Sequence, residues 1–401
     1  MAATVTVIGL AAGQLPRGAG PALTAARLVV GSAAALNAVR ATAHAGTGAG
    51  APRTIEVPRA PGLPAAALDA LAAAVAAGEP AVVVVSGDPG YFGALRELRD
   101  RGLPTECLPG VTDVQRVASL IQRPWDDVNV VSARGGAFRR AVNVCRARPA
   151  VGVLTGPDAG PAELAAALAG WRRTLVVLED VGGPAEELSI VDPAEAVVRT
   201  WRGPTVVLCL ADLDRVGAPG WLAGGAPEAP SHDDMDGSPE TRALAQALLA
   251  PRLGTLVWDV AAGSGAIGIE AARTGAAVIA VEHDSGLCVR LRANARRHGV
   301  DVRLVDGDVP QALYGLPRPD SVFLSTARAD VVRACADTGA GRIVIEVHEL
   351  GSVGPARDAL ADGGYAVDGR LLSAAPLRGL ASGGASVERA TSTLLLWGTR
   401  R

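Results

Sequence analysis

Acidic and glycine residues at fixed spacing carry the clearest chemistry in the chain. An apolar run, Leu256 to Val260, contains Asp259 and leads into a tight turn at Gly263 and Gly265. A helical pattern starts at Ala266, and a second apolar run from Val278 ends on the acid Glu282. The order strand, loop, helix, strand is half of a nucleotide-binding α/β unit. Glycines let a ligand approach the backbone, and a helix N-terminus offers free N–H donors and the positive end of a dipole. Glu282 stands where a carboxylate accepts hydrogen bonds from both hydroxyls of a ribose. The chemistry expected here is the binding of an adenosine-containing cofactor.

Three readings of this loop compete. Gly263-Ser-Gly-Ala-Ile-Gly268 matches the dinucleotide pattern G-x-G-x-x-G, and a glycine turn can also be purely structural. Asp259 discriminates: a carboxylate at the loop mouth repels a pyrophosphate but can pair with an α-ammonium group. The spacing Asp-x-x-x-Gly-x-Gly resembles the first motif of class I S-adenosylmethionine-dependent methyltransferases. Asp306-Gly-Asp308, after the run Val302 to Val305, is similar to that family's adenine-side acid. The resemblance implies S-adenosylmethionine, held by Asp259, Ala261, Gly263, Ser264, Gly265, Glu282, His283, Asp306, Gly307 and Asp308.

The elements that must position these residues follow from apolar runs and breakers. In the C-terminal region strands are expected at 255–260, 277–282, 302–306, 320–325, 342–347, 366–373 and 392–398, with helical patterns between most of them. A helix Thr241 to Leu249 precedes them. In the N-terminal region strands are expected at 4–9, 27–31, 81–86, 105–107, 128–132, 150–154, 174–179 and 205–210. The apolar window Ala65 to Val85 is broken by Asp69, Gly78, Glu79 and Pro80, and reads as helix, turn and buried strand rather than a membrane span. A break near Pro104 to Gly110 divides this region into subdomains of about 1–107 and 108–212, facing across a cleft. Residues 213–240, dense in Gly, Pro and Ala, read as a linker, and 241–401 as the second domain.

Four strand-end turns of the N-terminal region could bind a ligand: Ser86-Gly87-Asp88-Pro89, Leu108 to Gln115, Val177 to Pro184 and Gly203-Pro-Thr205. Each alone is more often an ordinary turn. In this order they resemble the loops of the tetrapyrrole (corrin and porphyrin) methyltransferases, which line an S-adenosylmethionine cleft between two α/β subdomains. The resemblance assigns cofactor contacts to Ser86, Gly87, Asp88, Thr112 and Thr205. The first loop, Gly9-Leu-Ala-Ala-Gly13, departs from that family's Gly-x-Gly-Pro-Gly at Ala11 and Ala12. The fold class implied is α/β: a tetrapyrrole-methylase-like pair of subdomains, then a doubly wound, Rossmann-like class I methyltransferase domain.

A fusion of these two families resembles the bifunctional, decarboxylating methyltransferases of cobalamin biosynthesis. Further matching stretches are Arg123 to Ser132, Leu154 to Asp158, Trp221 and His232-Asp233. The resemblance implies methylation of a precorrin at ring carbon 5 by the N-terminal region. Methylation of carbon 15 and loss of the ring C acetate carboxyl fall to the C-terminal domain. An alternative keeps catalysis in the N-terminal domain alone, with the C-terminal domain a cofactor-binding, regulatory or assembly module. The candidate catalytic residues are Asp88, His232 and Asp233, the last two as proton donor or substrate anchor. Ser238, Ser325-Thr326 and Glu346 depart from the second family's pattern on its substrate side, where His348 and Glu349 are possible replacements.

Composition narrows the classes. The chain has 401 residues, 49% apolar and 20% charged, with a net charge of −3. That is a globular chain without an electrostatic footprint for nucleic acid. All 38 basic residues are arginine, which rules out Schiff-base lysine chemistry and a P-loop lysine. Arginine's planar fork suits a carboxylate-rich ligand. Five scattered cysteines suggest neither a disulfide framework nor a zinc site, so no metal is expected. The N-terminus has no basic stretch and begins on a strand-like run, so a cytoplasmic protein without a signal peptide is expected; a homo-oligomer is expected separately.

Overall fold

The computed structural model describes residues 4–42, 51–58, 62–92, 94–212, 237–375, 377–379, 383–387 and 389–400. Trp221, His232 and Asp233 lie outside the described residues, as does the linker up to residue 236. The chain divides into two compact units, Met1–Ala141 with Ala150–Ala211, and Val142–Pro149 with Asp212–Arg401.

The first unit holds two five-stranded sheets. Strands β1 (Val5–Leu10), β2 (Leu28–Gly31), β3 (Arg53–Glu56), β4 (Ala81–Ser86) and β5 (Thr105–Leu108) form a parallel sheet ordered β3-β2-β4-β1-β5. Side chains alternate across a strand, so Val5, Val7 and Val83 pack with Leu71 and Leu98 on one face. Ile8, Val82 and Val84 pack with Leu36 on the other. Burial on both faces is why β4 is a continuous apolar run. Within the window Ala65 to Val85 the chain forms a helix Ala65–Ala76, a turn through Gly78, and then β4. Among the described residues no helix is long and apolar enough to cross a membrane.

After β5 the chain crosses to a mixed sheet. It contains β6 (Asn129–Ser132), β7 (Ala150–Leu154), β8 (Arg173–Glu179), β9 (Glu187–Val191) and β10 (Val206–Ala211), ordered β6-β7-β10-β8-β9. Its helix Asp113–Leu120 buries Val114 and Val117 against Val176, Leu178, Val206 and Leu208. The edge strands β3 and β9 were not expected. Their residues are mostly half-buried or exposed and lack apolar alternation, so pairing with β2 and β8 defines them.

The second unit is a seven-stranded sheet. Strands β11 (Leu256–Val260), β12 (Ala277–Glu282), β13 (Arg303–Asp306), β14 (Ser321–Leu324), β15 (Arg342–Val347), β16 (Tyr365–Ala374), β17 (Leu377–Gly379), β18 (Ala385–Val387) and β19 (Thr391–Arg400) follow in sequence. The order is β13-β12-β11-β14-β15-β19-β16, with β17 and β18 paired separately. The first five strands are parallel, and β19 runs antiparallel to both neighbours. Strand order reverses between β11 and β14, which defines a topological switch point at their C-terminal ends. The preceding helix is Pro239–Leu249, two residues longer than expected. Ser238 caps it, accepting from Thr241 N at 3.2 Å, and Pro239 is suited to the first turn. Pro239 and Glu240 are therefore helical rather than linker.

Two candidate cofactor sites

In the second unit the glycine loop leaves β11 at the switch point. Ala261, Gly263 and Gly265 all have positive φ, of 56°, 57° and 82°. Gly265 caps the helix Ala266–Arg273, and a Cβ on it would meet Leu291 Cγ at 2.6 Å. Buried Asn294 holds the loop from outside by donating to Ser264 O at 3.0 Å. Ser264 itself is fully buried.

The two expected acids bind the loop itself. Asp259 is 1% exposed, and its Oδ2 accepts from Gly268 N at 2.8 Å. That bond accounts for the third glycine of the dinucleotide-like pattern, since a Cβ on Gly268 would stand 2.8 Å from Asp259 Oδ2. Burial pushes the Asp259 carboxyl up to about 7, against the Gly268 hydrogen bond and helped by the nearby Glu282. Glu282 is equally committed. Its Oε2 accepts from Gly263 N at 2.8 Å, and Oε1 accepts from His283 N and Asp284 N, both at 2.9 Å. A carboxylate has about four acceptor positions, so ribose hydroxyls would share Glu282 with these three donors.

Asp306 lies opposite Glu282 in the β12–β13 register, and Gly307 N donates to Glu282 O at 3.1 Å. Asp306, Asp308 and His283 are exposed on the same strand-end edge. Ser325 N donates to Val260 O at 3.1 Å, so Ser325 stands beside the mouth of the loop. Glu346 is near the end of the adjacent β15.

In the first unit the loops meet through glycines. A Cβ on Gly9 would lie 2.2 Å from Gly87 O and 2.7 Å from Gly110 N; one on Gly110 would lie 2.7 Å from Gly9 C. The ends of β1, β4 and β5 are thereby locked against one another by backbone contact. Ala12 has φ 48°, a value closed to the proline that the family pattern has there, and Ala11 pairs with Gln14 in a tight turn. This loop approaches the turn after β8: a Cβ on Gly13 would meet Gly182 O at 3.1 Å. Arg116 forks onto Glu186 and holds its carboxyl below the usual range, while Glu186 accepts from Gly182 N at 2.9 Å.

Ser86, Gly87, Asp88 and Thr112 line one cavity of about 120 Å³. Asp88 Oδ1 accepts from Gly90 N at 2.8 Å. The Thr112 hydroxyl serves a capping box, accepting from Gln115 N at 3.1 Å while Gln115 Oε1 accepts from Thr112 N at 2.8 Å. Thr205 lines a neighbouring cavity of about 590 Å³, with Thr155 and Trp201. Thr155 binds the Thr205 hydroxyl at 2.7 Å. Arg134 is a wall of both cavities. Arg134, Leu291 and Asn294 were missed because no local motif marks them, whereas Thr155 lies in the stretch Leu154 to Asp158; sheet order and packing bring all four to the loops.

Two α/β units, each with glycine-built loops at its strand ends, define an α/β class whose ligand sites lie at those strand ends. Residues 4–199 match the family model of the tetrapyrrole (corrin/porphyrin) methylases, and residues 229–397 match the precorrin methyltransferase domain. A precorrin-6Y C(5,15)-methyltransferase [decarboxylating] from a Sinorhizobium species is 34% identical over 256 residues, covering 62% of each chain. One of the same name from Mycobacterium tuberculosis is 33% identical over 275 residues, 64% of this chain and 66% of the relative. A Pyrobaculum calidifontis protein named "Probable cobalt-precorrin-6B C(15)-methyltransferase (decarboxylating)" is 32% identical over 132 residues, 31% of this chain and 68% of the relative. The chain spans just under two thirds of the length of the first two relatives. It belongs to the precorrin methyltransferases.

Proposed function

We propose that the chain methylates a precorrin-6Y-type tetrapyrrole at ring carbons 5 and 15, with decarboxylation of the ring C acetate, using S-adenosylmethionine at two sites. The observation that carries this reading is the presence of two separate strand-end glycine cradles in one chain, each within a methyltransferase family match. S-adenosylmethionine supplies an activated methyl group on a sulfonium. The residues around Gly263, Gly265 and Glu282 fit its adenosine, because two positive-φ glycines turn the backbone at the strand end and the helix Ala266–Arg273 begins beside them. In the first unit Ser86, Gly87, Asp88, Thr112 and Thr205 would hold it along the two cavities. The protein's task is positioning and exclusion of water, because the macrocycle itself provides the nucleophilic carbon and the electron sink. Arg134, whose Nε donates to the Thr155 carbonyl at 2.5 Å, lines both cavities.

A second reading restricts transfer to carbon 5, and the unusual Ser325 and Glu346 at the ends of β14 and β15 favour it. Labelled methyl transfer to precorrin-6Y separates the two. Two methyls with released carbon dioxide support the first reading and one methyl the second; binding without transfer defeats both.

A further inference from the structure

Tyr91 and Phe92 follow Asp88 on the rim of the smaller cavity in the first unit. They are 39% and 46% exposed, in a chain with only three tyrosines and three phenylalanines. The rings meet edge to face, with centroids 5.3 Å apart and planes at 87°. Their backbone is anchored, because Tyr91 N donates to Asp88 O at 3.1 Å and Gly90 N donates to the Asp88 side chain. Phe92 has φ 51°. A bulky residue in the left-handed region is an outlier that persists only where its surroundings over-determine it. Glycine would satisfy that backbone without strain, yet the position presents a phenyl ring to solvent.

The cavity beneath is about 120 Å³, below the several hundred Å³ typical of a site that engulfs a small ligand. A tetrapyrrole held here must therefore lie across the rim. The rim offers two half-exposed aromatic rings, an apolar surface for one face of the macrocycle. We propose that Tyr91 and Phe92 are the platform against which the macrocycle rests at the N-terminal site. The inference rests on the methyltransferase reading above.

The test uses the full chain, with Phe92→Gly, Tyr91→Ala and Tyr91→Phe, and precorrin-6Y with labelled S-adenosylmethionine as substrates. Methylation is read separately at carbons 5 and 15. Phe92→Gly removes the ring and relaxes the backbone. The platform predicts about a tenfold higher KM for the tetrapyrrole at carbon 5, an unchanged KM for S-adenosylmethionine, unaltered transfer at carbon 15 and no loss in melting temperature. Tyr91→Ala follows the same pattern, and Tyr91→Phe retains the wild-type KM. An unchanged tetrapyrrole KM in Phe92→Gly overturns the proposal, as does a lower melting temperature with both KM values raised. If the wild-type chain transfers no methyl to carbon 5, the functional reading itself fails and the platform falls with it.

Discussion

The two glycine cradles solve one problem with different forces. In the first unit Gly9, Gly87 and Gly110 touch through backbone atoms alone, so steric necessity holds the strand ends together. In the second unit Asp259 and Glu282 hold Gly268 and Gly263 by hydrogen bonds to buried carboxylates. A cradle built on contact distances should be intolerant of a single methyl group and indifferent to pH. One built on buried acids should respond to protonation and to loss of an acceptor.

The largest effect should come from Gly9→Ala. Its Cβ would collide with the Gly87 carbonyl and Gly110 amide, neither the end of a flexible side chain, and the cost should exceed about 3 kcal/mol. Thermal melts should show a destabilised first unit, with cofactor binding in the second unit retained. A wild-type melting profile would break the steric half of the comparison.

Asp259→Asn tests the electrostatic half. With its pKa raised from 3.8 to about 7 in the folded state, Asp259 keeps a proton that the unfolded chain has released. Its contribution to stability therefore falls as pH rises from about 4 to about 7, and is level above that. The variant should remove this slope and be more stable at pH 8 by about 2–4 kcal/mol, measured by urea unfolding across pH. If Asp259 also receives an α-ammonium group, the same variant should bind S-adenosylmethionine more weakly. An unaltered pH slope would show that the buried acid is not what tunes this loop.

Glu282→Gln comes next. The amide cannot accept from all of Gly263, His283 and Asp284, and a lost charge-assisted bond is worth about 2 kcal/mol. Calorimetry should then show roughly thirtyfold weaker cofactor binding at one of two sites. Equal weakening at both sites would contradict the separation of the cradles. The smallest effect is expected for Thr112→Ala, about 1 kcal/mol from the lost helix cap. If its KM for S-adenosylmethionine rises more than about fivefold at the N-terminal site, the hydroxyl contacts the ligand as well as the cap.

Much of this architecture was legible beforehand. All seven strands of the C-terminal sheet were expected within two residues, as were eight of the first unit's ten. Runs such as Ala81 to Val84 or Val278 to Val281 are buried on both faces and announce themselves. Strands β3, β9, β17 and β18 were not legible, because edge positions need little apolar surface and their pairing is supplied by a neighbour. The acids were found by spacing, but their hydrogen-bond partners were not. Asp259 reads as a ligand contact from sequence and stands in the structure as the anchor of Gly268. Thr112 and Thr205, grouped by loop order, line different cavities.

What the sequence determined by itself is local: a strand, a glycine turn, a helix start and an acid at the end of the next strand. These lie within one βαβ segment, where backbone freedom, capping and apolar period act over a few residues. Only the tertiary structure decided that Gly9, Gly87 and Gly110 meet, that Glu282 turns back onto Gly263, and that Arg134 walls both cavities. The glycine and Arg134 contacts join distant parts of the chain. Even within one βαβ segment it is the folded path of the chain that brings Glu282 onto Gly263; strand order and close packing determine which atoms touch.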